Sequence, residues 1–185
     1  VASDSLRSRS LRGLLGESMA FEGVYKAARD YLQPLLKQAA VLLPMLAGWG
    51  DRQRTAVLIG AAYVTLHAVE SLCSRRSESW RRWRGGAEPA ARALWRMGLA
   101  AYAASAAMLA VGVLTRLDGL WAIAPAVGGF LLLAGLQNLW RPVHLGRFHT
   151  TGPAEDTAPV LSIKSQSKTL TAAAVAPLLG LAVDA

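Results

Sequence analysis

From residue 119 to residue 140 the chain reads GLWAIAPAVGGFLLLAGLQNLW, with no charged side chain anywhere in the run. A helix rising ~1.5 Å per residue over this length covers about 30 Å, the thickness of a bilayer's hydrocarbon core. Trp121 and Trp140 bracket the run and set amphipathic rings at the levels of the two interfaces. The segment therefore reads as a transmembrane helix, and composition extends that reading to the whole chain. Of 185 residues, 53% are hydrophobic and 17% charged, where a soluble domain carries about 25% charged residues. Mean hydropathy is +0.30. At about 20 residues per crossing there is room for four to six spans and none for a large catalytic domain.

Four companions to that run are expected. Residues 93–114 carry one charge, Arg96, near their start, and residues 54–73 form a slightly polar span with His67 and Glu70 toward its end. The apolar stretch 169–183 reaches adequate length when extended back to 158, giving a helix over 158–184 with a polar, interfacial beginning. Residues 12–48 read as one long element that crosses once and bends at Pro34. Its first half carries too many charges to face lipid on all sides. Glu22, Lys26, Asp30, Gln33 and Lys37 recur at intervals of three and four, so all five fall on one helical face, with Lys26 placed to neutralise the carboxylates on either side. The expected architecture is all-α: a polytopic helical membrane protein of about five transmembrane helices, filling a membrane domain over 11–184 after a short cytoplasmic segment, 1–10.

Orientation follows from the basic residues. Sixteen of the 20 lysines and arginines fall in the N-terminal segment, between the second and third spans, or between the fourth and fifth. The alternate loops hold three: Arg52, Arg54 and Arg116. By the positive-inside rule the N-terminus and the loops 74–92 and 141–157 are cytoplasmic, and five crossings leave the C-terminus outside. A formal charge of +8 is thus assigned to loops facing anionic lipid and not to nucleic acid. A start at Val1 with no signal-peptide pattern, and an end just after an apolar run, suit a fragment or a processed chain.

Chemistry-bearing motifs are few. SRRSESWRRWRGG (74–86) mixes arginine and tryptophan as nucleic-acid binders do, but between two spans it reads as an interfacial loop held by phosphate headgroups. His67 and Glu70, three apart on one face, suit either a proton relay or an interhelical hydrogen bond. Gln137 and Asn138 offer amides for a solute or for neighbouring backbone. His144 and His149 lack the i, i+4 spacing of a helical zinc site, and Cys73 has no partner cysteine. No cofactor, metal or enzymatic activity is expected.

Three stretches, FEGVYKAARDYLQPLL (21–36), LQNLWRPVHLGRF (136–148) and APVLSIKSQSKTLTAAAVAPLLGLAVD (158–184), resemble the C-terminal half of bacterial transporters of the major facilitator superfamily. They look like its seventh helix, the end of its tenth, and its eleventh, in that order, so that the chain from about Leu11 to Asp184 corresponds to helices seven to eleven of twelve. The loop after the second span lacks the Gly-x-x-x-Asp-Arg pattern common there, and Lys164 stands where relatives often have an acidic residue. The resemblance implies secondary active transport of a small solute in a bacterial inner membrane, with a substrate site near the bilayer midplane between two six-helix halves. Glu22, Lys26, Asp30 and Gln33 would then contact substrate or proton, followed by His67 and Glu70. An isolated half is expected to be inactive and to pair with an N-terminal half or with itself. The alternative is a non-transporting membrane module for assembly or regulation.

Overall fold

The computed structural model describes residues 8–42, 48–115, 120–151 and 157–184, and every element among them is helical. The helices are α1 (Arg9–Ser18), a π-helical turn (Met19–Gly23), α2 (Val24–Asp30), α3 (Leu32–Leu42), α4 (Asp51–Trp83), α5 (Ala87–Thr115), α6 (Leu120–Thr151) and α7 (Thr157–Asp184). The all-α expectation holds. Among the described residues one helix, α4, is long and apolar enough to cross a membrane, and only 6% of its most apolar window is buried within the chain.

The long N-terminal element is broken twice, for different reasons. At Met19–Gly23 the wider π turn buries Phe21, Glu22 and Gly23 in succession, which one face of an α-helix does not do. Gly23 is required there: a Cβ on it would lie 2.6 Å from the Cβ of Thr171 on α7. The second break falls at Tyr31 and not at Pro34. Tyr31 closes a turn onto the Ala28 carbonyl at 3.1 Å, and Pro34 sits in the first turn of α3, where its missing N–H leaves no intrahelical bond unmade.

Helix also replaces most of what reads as loop. The stretch 74–92 contains no breaker before Gly85, so α4 runs on to Trp83 and α5 begins at Ala87. The helix ends in a Schellman motif: Gly85 takes φ +79°, its N–H donates to the Arg82 carbonyl at 3.1 Å, and the Gly86 N–H donates to Arg81 at 3.0 Å. Likewise 141–151 is the last part of α6, which continues through Pro142 because Val143, His144, Arg147 and Phe148 bury one side of it. The expected loop 141–157 shrinks accordingly, and residues 152–156 of it lie outside the described set, as do 43–47 of the first expected helix.

Packing centres on α6, which lies against α4 and α5 along its length and touches α1, α2 and α3, while α7 packs on α1, the π turn and α2. Trp140, fully buried, anchors the main core with Phe21, Leu36, Leu66, Leu94, Leu133 and Ala134. A smaller cluster of Leu11, Leu14, Leu15, Phe148 and Val160 closes the end of the bundle where α1 and α7 begin and α6 finishes. That end carries the charged side chains described next.

Candidate functional site

Two linked ionic clusters lie side by side at this end. In the first, the π turn aims Glu22 inward, leaving it 2% exposed. Its carboxylate sits 2.6 Å from the Lys164 ammonium and 3.5 Å from that of Lys168, one helical turn on, and accepts a hydrogen bond from the Ser18 hydroxyl at 3.1 Å. Lys164 also lies over the Phe148 ring, 5.7 Å from its centroid. Two cations on one carboxylate give the cluster an excess positive charge.

The second cluster is built on Arg147, whose guanidinium donates to both Glu88 oxygens, at 2.7 and 3.0 Å, and to Glu17 at 2.5 and 3.3 Å. One planar fork thereby ties α6 to α5 and to α1. Burial, the largest single influence, favours the neutral guanidine, but the carboxylates of Glu17 and Glu88 together outweigh it and hold the pKa above the ordinary arginine value. One turn earlier His144 is fully buried, stacked on Trp140 at 3.9 Å between centroids and edge-on to Phe148 at 5.1 Å. Its Nε2–H donates to the Leu14 carbonyl at 3.2 Å, which leaves Nδ1 to accept from Arg147 at 3.4 Å. Burial, and then the charges of Lys164 and Arg147, push its pKa down to about 3, so the ring is neutral at pH 7. In that state the Glu17 oxygen 3.6 Å from Nδ1 faces an acceptor and forms no ion pair with the imidazole.

The six residues singled out from sequence are not one site. Glu22 is buried, but with Lys164 and Lys168 as its partners; Lys26 is exposed and donates to the Thr169 hydroxyl at 3.2 Å. The expected Glu22–Lys26–Asp30 neutralisation is thus corrected. Glu22 belongs to the π turn, where each residue advances less around the axis than in an α-helix, so it leaves the stripe. Asp30 and Gln33 stand exposed together with Lys37. His67 and Glu70 do pair, Nδ1 to Oε2 at 3.0 Å, and Arg29 of α2 approaches the same carboxylate at 3.7 Å, joining α4 to α2. Sequence reasoning missed Glu17, Glu88, His144, Arg147, Lys164 and Lys168. The usable signal was the helical spacing of His144 with Arg147 and of Lys164 with Lys168.

Chemically, the clusters hold helices together and could take an anion at their edges. Gln137 Oε1 and Trp140 Nε1 are buried without a hydrogen-bond partner among the described residues. The described residues contain no group of three or more His, Cys, Asp or Glu side chains placed to hold a metal ion. No family model matches the chain, and neither a curated protein nor a solved structure matches it.

Proposed function

We propose that the chain is a membrane-embedded half of a secondary transporter for a small solute, crossing the bilayer five times with its N-terminus in the cytoplasm of a bacterial cell. One observation carries this reading: which side chains the bundle turns outward. On α4 to α7 these include Val64, Leu72, Leu99, Met108, Leu132, Leu170 and Leu178, all more than half exposed. On α2 and α3 they are Lys26, Asp30, Gln33 and Lys37, with Thr169 of α7 at the edge. Large apolar side chains left uncovered on several faces are costly in water and favourable in lipid. A polar wall on one side of such a bundle is costly in lipid and suits a water-filled cavity closed by a second half. The order of the three stretches that resemble the major facilitator superfamily supports the same assignment, as does the grouping of basic residues at one end of the bundle.

Cysteine accessibility in membranes tests it on a Cys73→Ser background. Cysteines at Lys26, Asp30 and Gln33 should react with a hydrophilic maleimide, and cysteines at Val64, Leu132 and Leu170 only with a lipid-soluble one. Reaction of both sets with the hydrophilic reagent would refute the membrane assignment, and reaction of neither set would refute the cavity. Co-reconstitution with a six-helix N-terminal half should then give saturable solute uptake that the chain alone lacks.

A further inference from the structure

The outward side of α5 presents Arg92, Arg96, Leu99 and Ala103 at intervals of four, three and four, all exposed and therefore in one line along the helix. The two arginines, with Glu17, Ala91, Trp95 and Arg147, line a cavity of about 120 Å³ where α1, α5 and α6 meet. Arg147 is engaged by Glu17 and Glu88, so both carboxylates near the cavity are already neutralised in part. Among the described residues, Arg92 and Arg96 make no ion pair and no side-chain hydrogen bond. Three guanidiniums and one carboxylate, Glu17, line the cavity, so its lining is net positive. Guanidinium forks match phosphate oxygens, and two of them one turn apart converge on a single phosphate. Trp95 lies half-buried at the same level, the position an interfacial indole takes.

We propose that this cavity binds the headgroup of an anionic phospholipid of the leaflet facing the arginine-rich end. Arg92 and Arg96 hold its phosphate, and one acyl chain lies along Leu99 and Ala103. The line of cation, cation, apolar, apolar has the polarity of a single lipid, and a net positive lining favours an anionic headgroup over a zwitterion. The proposal rests on the membrane reading above but not on transport.

Saturable binding of phosphatidylglycerol to the purified chain in neutral detergent, read as a thermal shift over a titration, tests it. Phosphatidylglycerol should bind at least tenfold more tightly than phosphatidylcholine, and Arg92→Gln with Arg96→Gln should abolish that preference. Arg75→Gln with Arg82→Gln removes the same charge from the end of α4 and should preserve it. Should the first pair misfold, Arg92→Lys with Arg96→Lys retains charge without the fork and should weaken binding several-fold. Equal loss in the Arg75/Arg82 pair, undiminished binding in the lysine pair, or equal affinity for both lipids would overturn the site. A full shift with inorganic phosphate would assign the cavity to a soluble anion instead. Flotation with phosphatidylcholine vesicles checks the membrane reading separately, so its failure is distinguishable from failure of this site.

Discussion

The Lys164 ammonium on α7 stands 2.6 Å from the Glu22 carboxylate in the π turn, with side chains only 9% and 2% exposed. Each charge has been taken from water, and each makes the other tolerable. Removing one partner of such a pair costs about 3–5 kcal/mol, largely because the remaining charge is stranded, whereas replacing both with apolar side chains is far cheaper. Lys164→Met should therefore destabilise the fold strongly, with Lys168 at 3.5 Å softening the loss. Glu22→Leu combined with Lys164→Met should cost less than the two single changes added together. Lys26→Met, at an exposed position, should shift stability by less than ~0.5 kcal/mol. Denaturant unfolding in micelles, arranged as a double-mutant cycle, reads all three.

A second prediction concerns a close approach between α5 and the π turn. A Cβ added at Gly98 would run into the Phe21 ring. The ring has little freedom to yield, because Trp95 and Trp140 lie 5.8 and 4.9 Å from its centroid. Gly98→Ala should destabilise by about 1–3 kcal/mol, the usual range for overpacking. Adding Phe21→Leu should recover part of the loss, and thermal unfolding of the two variants measures it.

Sequence pattern exposed the helical class and the apolar segments, because hydropathy and the absence of charge are local properties. It placed the helix ends badly. Gly85 and Gly86 signal a C-cap, yet the arginines before them read as loop when α4 in fact carries them to Trp83. Of the stripe from Glu22 to Lys37, the residues from Lys26 onward are exposed on α2 and α3, with the turn at Tyr31 between them. The stripe failed at Glu22 because a π turn leaves no mark in hydropathy. The Arg147 fork joins residues 59 and 130 positions apart in sequence, and one chain's pattern carries no information on such pairings.

Arg147 supports a third prediction, on geometry more than charge. Its guanidinium serves Glu17 and Glu88 at once. A lysine keeps the charge but offers a single flexible ammonium in place of a planar fork. Arg147→Lys should lose about 1–3 kcal/mol, and Arg147→Met more, since both carboxylates then lose their partner. Restoration of full stability by lysine would show that charge alone suffices. Protease sensitivity of α1, whose Glu17 would be released, supplies an independent readout.

The last prediction is a pH dependence set by His144. An unfolded histidine titrates near the ordinary value of 6.5, and in the folded chain burial first, then the charges of Lys164 and Arg147, bring it to about 3. Between those values the unfolded chain binds a proton that the folded chain refuses. Stability must therefore fall as pH drops from 6.5 toward 3, and the contribution of this group is flat above 6.5. At about 1.4 kcal/mol per pH unit, the loss by pH 5 is about 2 kcal/mol. The ring lies between Trp140, Phe148, the Leu14 carbonyl and Arg147, so protonation would strip Nδ1 of its acceptor role and set a second cation against the guanidinium. His144→Gln should be less stable than the parent at pH 7.5, because the stacked ring is lost. It should also show a much smaller decline between pH 6.5 and 5, a range above most carboxylate titration. Unfolding midpoints for both chains across that range check the prediction, and parallel curves for the two would rule out His144 as the group responsible.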